Sequence, residues 1–198
     1  MAWAKNGTPS TLTGTADTLT ISDLTAKTFN VFLCHTLPSG TVNNAFRIGN
    51  GTVDSGSNYA FRYNDLGAGD YAATSQTEMV IAQDASSDTR FIVFYMVNIA
   101  AQEKLGINFS VNSNTAGAGN APFRTERVWK WANTSVQFNI AQTYNTNAGD
   151  FNTGSNLSAI ESEGTPVAVN IQNGTVFEET DTNKSYIFNS STSTWTQF

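Results

Sequence analysis

The run Arg90-Phe-Ile-Val-Phe-Tyr-Met-Val-Asn-Ile-Ala-Ala101 constrains the fold more than any other stretch of the chain. It is the longest apolar run, rich in Phe, Val, Ile and Tyr and free of Gly and Pro, a composition that favours a strand. The polar segment 83–89 before it reads as a turn. Near-continuous apolarity predicts a strand covered on both faces, or by the core on one face and a neighbouring subunit on the other. A buried helix of the same length fits the periodicity equally; the β-branched and aromatic residues favour the strand.

Shorter runs arrange themselves around this one. Residues 11–21 alternate and read as a strand with a turn near Gly14, and 27–36 reads as a core strand closed by Pro38-Ser-Gly40. Residues 43–49 and 59–63 follow, the latter with Tyr59, Phe61 and Tyr63 on one face. Residues 64–73 read as a loop and 78–82 as a strand. In 105–111, Leu105, Ile107, Phe109 and Val111 alternate. Residues 123–132 carry Arg127, Trp129 and Trp131 on one face and Arg124 and Lys130 on the other, if the segment is a strand. Residues 136–140 alternate again, and the polar stretch 144–158 is long enough for a functional surface loop.

At 164–166 the character shifts. Short runs at 167–171, 175–177, 185–188 and 194–198, with Asn173-Gly174 and Asn189-Ser190 between them, predict a small β-hairpin module over 164–198. Alone so small a unit buries little, so it is expected to lean on the main domain or on a copy of itself.

The Thr, Asn, Ser and Gly content fits an all-β domain with long polar loops, and the 12% aromatic content argues against disorder. A net charge of −6 with 13% charged residues gives no general attraction to nucleic acid or anionic membrane. No apolar segment reaches transmembrane length, and Met1–Gly7 lacks the pattern of a signal peptide, so no membrane insertion and no secretory route are expected. The single cysteine, Cys34, reads as a buried strand thiol. The generous aromatic strand faces predict apolar surface buried between subunits, and so a homo-oligomer, with a trimer suggested by analogy.

Chemical motifs are sparse. His35, the only histidine, follows Cys34 directly; on a strand the two point to opposite faces and form no nucleophilic pair. Asp84 with Asp88, and Asp65 with Asp70, carry calcium-type oxygens but match no twelve-residue calcium loop and read as turns. Glu161, Glu163, Glu178, Glu179 and Asp181 make an acidic rim without a defined carboxylate pair. Arg124, Arg127 and Lys130 with Trp129 and Trp131 suggest a nucleic-acid patch, but strand geometry splits it. Arg127, Trp129 and Trp131 are therefore expected in subunit packing. Tyr59, Tyr63, Tyr71, Tyr144 and Phe151 are candidates for stacking on a glycan or contacting a partner. No catalytic residue, metal or cofactor is expected.

Three segments carry a resemblance: Phe46-Arg-Ile-Gly-Asn-Gly-Thr-Val-Asp-Ser-Gly-Ser-Asn-Tyr-Ala-Phe-Arg-Tyr63; Lys130-Trp-Ala-Asn-Thr-Ser-Val-Gln-Phe138 followed by Gly149-Asp-Phe-Asn-Thr-Gly-Ser155; and Gly174-Thr-Val-Phe-Glu-Glu-Thr-Asp-Thr-Asn-Lys-Ser-Tyr186 with the Trp195 ending. Together they resemble structural proteins of tailed bacteriophages and related marine viruses, among them head-fibre, decoration and tail-associated components. The resemblance implies a non-enzymatic virion protein with other virion proteins as partners. The expected fold is an antiparallel β-sandwich of jelly-roll type over 1–163 with the β-module at 164–198. The alternative is a glycan- or receptor-binding adhesion protein, and a carbohydrate-active enzyme is a third, weaker reading.

Overall fold

A computed structural model describes residues 3–82, 86–162, 172–192 and 194–198. The chain divides into two compact units, Met1–Gly164 and Thr165–Phe198. Among the described residues every named element is a strand. The first unit contains β1 (Trp3–Lys5), β2 (Ser10–Thr11), β3 (Thr18–Ile21), β4 (Phe29–Thr36), β5 (Pro38–Ser39), β6 (Asn44–Asn50), β7 (Thr52–Val53) and β8 (Tyr59–Asp65). It continues with β9 (Tyr71–Gln76), β10 (Met79–Val80), β11 (Arg90–Val97), β12 (Lys104–Asn112), β13 (Phe123–Trp131), β14 (Ile140–Asn145), β15 (Asp150–Phe151) and β16 (Asn156–Ser162).

The expected central strand is β11. It lies inside a nine-stranded antiparallel sheet of order β1-β16-β4-β11-β12-β13-β8-β9, with β2 added beside β16. A five-stranded antiparallel sheet runs β10-β6-β14-β3, with β7 beside β6. One apolar cluster joins the two. Phe32, Ile92, Phe94 and Trp129 of the large sheet meet Leu19, Phe46 and Ile48 of the smaller one. Phe46 stacks on Phe94 with ring centroids 4.5 Å apart, and Phe32 meets Phe46 edge-on at 5.5 Å. Cys34 is buried in this core, where desolvation pushes its thiol up to about 12.

The inner face of the large sheet also buries polar groups, the two cationic strand-opening residues among them. Arg90 opens β11 and bonds Asn44 Oδ1, the Val42 carbonyl at 3.1 Å and Ser86 Oγ at 2.9 Å; burial lowers its guanidinium to about 10. Lys104 opens β12, donating to the Gln102 and Asn133 carbonyls at 2.8 and 2.9 Å above the Trp131 ring; burial pushes its ammonium down. Gly106 lies beneath the Trp129 ring, and a Cβ there would stand 2.4 Å from it. Glycine at this position is what lets the indole lie flat against the strand.

The second unit is a three-stranded antiparallel sheet: β17 (Val176–Glu179), β18 (Lys184–Asn189) and β19 (Thr194–Gln197). Phe177 lies 6.1 Å from Trp195, and Trp195 lies 5.1 Å from Phe188, so one face of the sheet is aromatic. Gly174 takes a left-handed φ of 85° in the turn before β17. The run 167–171, Asp84 and Glu163 lie outside the described residues.

Several local expectations need correction. Residues 11–21 form two strands, β2 and β3, rather than one. Within 64–73 only residues 66–70 are a loop, because Asn64 and Asp65 end β8 and Tyr71 opens β9 against it. Segment 136–140 is not a strand before Ile140; Asn98 instead grips the Phe138 backbone, accepting from its N–H at 2.9 Å and donating to its carbonyl at 3.0 Å. The stretch 144–158 is not one long loop. It holds the end of β14, all of β15 and the start of β16, which pairs with β4 over Asn156–Glu161.

Candidate functional site

The large sheet has a second face, and that face is the most unusual surface of the molecule. Strict two-residue alternation sends Phe91, Val93, Tyr95 and Val97 of β11 away from the core. The flanking strands place their own apolar residues beside these. One row across the sheet reads Ile160, Val31, Tyr95, Ile107, Val128; the next reads Leu33, Val93, Phe109. Phe91 and Val111 begin a third row, whose neighbour on β4 is His35. Trp3 of β1 and Phe29 of β4 extend the face at the Val97 end.

Apart from the buried Val31, these side chains are at least partly open to solvent. Tyr95, Leu105, Ile107 and Phe109 are 47–55% exposed. With Trp3, Phe29, Leu33, Phe91, Val111 and Val128 they make ten large apolar residues on one face. At about 200 Å² per large side chain, a little under half of it exposed, they present on the order of 900 Å². Monomeric proteins rarely expose a contiguous apolar patch above about 300–600 Å². The half of the face nearest Val97 is concave, a trough of about 870 Å³ lined by Trp3, Phe29, Val31, Tyr95, Leu105, Ile107 and Val128.

Ion pairs line the β13–β8 side of the apolar rows. Arg62 pairs with Asp70 at 2.5 Å, Lys130 with Glu103 at 2.9 Å and Arg124 with Glu126 at 3.6 Å. The face therefore has an apolar centre and, along β13 and β8, a charged margin, as a protein interface has at its rim. It arises because these strands are apolar on their outward side as well as bearing aromatic residues on the inward one.

The residues expected in subunit packing sit on the opposite face. Arg127, Trp129 and Trp131 all point into the core and are buried. Arg127 bonds Asp65 at 3.2 Å and the Ala82 carbonyl at 2.9 Å, and Trp131 donates to Asp54 Oδ2 at 2.7 Å. The correction is one of parity: on β13 it is Val128, between Trp129 and Arg127, that reaches the exposed face.

The five aromatic candidates for glycan or partner contact do not converge. Tyr59 and Phe151 are core residues, 1% and 0% exposed, and offer no ring to solvent. The Tyr59 hydroxyl donates toward the Ile48 and Asp54 carbonyls, both at 2.9 Å, and burial pushes its pKa up. Tyr144 is half-buried on the five-stranded sheet, beneath the Arg47 guanidinium at 4.3 Å, and donates to Glu78 Oε2 at 2.9 Å. Burial and the Glu78 carboxylate raise its phenol. Tyr63 and Tyr71 stack at 5.2 Å on the large sheet, with Arg127 4.4 Å over Tyr63. Only Tyr71 of the five is freely exposed.

Asp65 and Asp70, weighed as oxygen ligands, are each engaged by an arginine. Among the described residues no group of three or more His, Cys, Asp or Glu is placed to hold a metal ion, and no helix is long and apolar enough to cross a membrane. Leu105, Ile107, Phe109 and Val111, whose alternation reads as that of a core strand, are exposed instead. Their alternation was visible; the side that faces the core was not.

Comparison of the chain with protein-family models, with curated proteins and with solved structures finds no match.

Proposed function

We propose that the chain is a non-enzymatic structural component of a virus particle, associated with its head, fibre or tail, and that it assembles through the outer face of its large sheet. The observation that carries the assembly is the exposed apolar face centred on Tyr95, Ile107 and Phe109, larger than a lone soluble domain leaves in water. The viral setting rests on the resemblance of segments 46–63, 130–138 with 149–155, and 174–186 with the Trp195 ending to phage structural proteins.

We read the two large sheets as a β-sandwich, since they share one core. The jelly-roll form is supported by a Greek-key element: β11, β12 and β13 run consecutively, and the earlier strand β8 lies beside β13.

The test is mass spectrometry of gradient-purified particles made in cells that produce either the wild-type chain or Ile107→Glu. A stoichiometric wild-type chain and an absent variant are expected. Particles lacking the wild-type chain, or holding both equally, would reject the proposal.

A second reading, contact with a host receptor or glycan, is favoured by one observation: Tyr71 is exposed and backed by Tyr63. Its test is Tyr71→Ala, which would lower adsorption of particles to cells while leaving incorporation intact.

A further inference from the structure

We infer that the occupant of this face is a second copy of the same chain, packed face to face across a two-fold axis; the inference rests on the assembly reading above and names its partner. Area is the first argument. On the order of 900 Å² of apolar surface corresponds to about 800 Å² per partner in a standard stable interface.

Charge is the second argument. The chain carries a net charge of −6, so two copies repel at long range. Along the β13–β8 margin of the face the repulsion is small, because Arg62, Arg124 and Lys130 each already pair with a carboxylate of their own chain. Two such margins meet without like-charge conflict, and a strongly basic or acidic partner gains nothing from them.

Shape is the third argument. The trough occupies only the half of the face nearest Val97, whereas Phe91, Leu33, Phe109 and Val111 lie outside it on the other half. A two-fold axis running across the strands, level with Phe94 and Asn108, lays each half on the other. Phe109 of one protomer then stands over the trough of its partner beside Ile107, and Val111 over Leu105. A single patch that meets itself is isologous and closes at two subunits. A three-fold arrangement must divide the same sheet between two neighbours and leaves part of it wet.

The experiment uses the full-length chain. Its mass is followed by light scattering after size exclusion over a concentration series, beside Ile107→Glu, Phe109→Glu and the off-face control Thr13→Glu. Wild type and Thr13→Glu are expected at twice the chain mass. Each face variant enters the interface twice and is expected to weaken the dimer about 100-fold or more, with an unchanged circular dichroism spectrum and melting curve at low concentration. Symmetry is read by cross-linking. Leu105→Cys and Val111→Cys chains join through a short bismaleimide when mixed, and neither joins to itself, because Cys34 is buried and silent.

Three or more chains, dispersed by the same variants, would overturn the two-fold pairing and leave assembly through the face standing. A monomer at every concentration, with wild type but not Ile107→Glu entering particles, would overturn self-pairing alone. A monomer whose incorporation ignores Ile107→Glu would remove both readings.

Discussion

The two outward faces of the first unit are built to opposite rules. On the five-stranded sheet the outward residues are Thr20, Gln142, Arg47 and Tyr144, tied to one another and to Glu78: Gln142 donates to Thr20 at 3.0 Å and Arg47 pairs with Glu78 at 3.1 Å. That face is finished for water. On the nine-stranded sheet the outward residues are Tyr95, Ile107, Phe109 and their neighbours, with no hydrogen-bonded network between them. Strand β12 shows the contrast within nine residues: Lys104, Gly106, Asn108, Ser110 and Asn112 point inward and are buried, while Leu105, Ile107, Phe109 and Val111 point outward. A strand whose polar side faces the core is stable only if those polar groups are bonded there. Asn108 donates to the Ile81 carbonyl at 2.8 Å, and Ser110 bonds Thr125. The difference is that the large sheet carries apolar side chains on both faces, and only the inner one is covered by the rest of the chain.

The contrast is sharpest if the inner face behaves as a core in every respect. Trp129→Ala removes a buried indole that covers Gly106 and touches Phe46. It should cost about 3–5 kcal/mol, read as the drop in urea midpoint at constant slope. A loss under about 1 kcal/mol would mean that the inner face is not the load-carrying one and would reverse the comparison.

Gly106→Ala probes the same contact from the other side. In an ordinary strand the change gains stability, because glycine is the more costly residue to order. Here the new methyl meets three indole atoms at 2.4–2.8 Å, and the ring is flanked by core. Destabilisation of about 1–3 kcal/mol is expected. Combining it with Trp129→Ala should recover much of that cost, since the methyl then has room; strict additivity would show that the indole is not what constrains Gly106.

The sequence made the strands legible more readily than their sidedness. The apolar run at 90–97, the alternations at 29–36, 59–63 and 105–111 and the turn signal at Asn173-Gly174 all announce themselves through residue type and period. Period two fixes that successive residues point to opposite faces and leaves open which face is in. For Leu105 to Val111 hydrophobicity points to the core, and the structure shows the reverse. Trp129 and Trp131 carried no signal separating a core face from a subunit face. β16 was hidden for a different reason. Its inward residues are Leu157 and Ala159, its outward ones Asn156, Ser158 and Ile160, and its strand character comes from pairing with β4 rather than from its own composition. Phe138 erred the other way: it alternates with Val136 and Ile140, yet its backbone is held by the Asn98 side chain instead of a ladder.

Asp54 tests the rim where the inner face meets water. Burial pushes its carboxyl up, but hydrogen bonds from the Trp131 indole, the Gly56 N–H and the Asn58 amide outweigh this, and its pKa is lowered. A carboxyl with a depressed folded pKa adds stability above its unfolded value, about 3.9, and loses it as pH falls through the lower folded value. Asp54→Asn should therefore cost about 1 kcal/mol or less at pH 7, the site being partly exposed, and less still at pH 3. Urea midpoints of both proteins at the two pH values give the answer; an equal gap at both would mean that the charge is not what holds Trp131.

The smallest expected effect on the fold is the most informative. Leu105→Thr with Val111→Thr replaces two large apolar residues by a good strand former. If the outward face is solvated in the lone chain, unfolding of the dilute protein should shift by no more than about 0.5 kcal/mol, as for ordinary surface changes. Were these residues core, the loss would be several-fold larger, with about 1–3 kcal/mol for each unbonded hydroxyl buried and a cavity cost at Leu105 besides. An apolar dye adds the second half of the comparison. Wild-type protein should bind more dye per chain as it is diluted and its faces separate, whereas the double variant should bind little at any concentration. Flat, low dye binding by the wild type would mean that the face is covered even in the monomer. Stability would then have to fall in the double variant as well, so the two measurements fix whether the apolar outward side of β12 belongs to an assembly or to the fold.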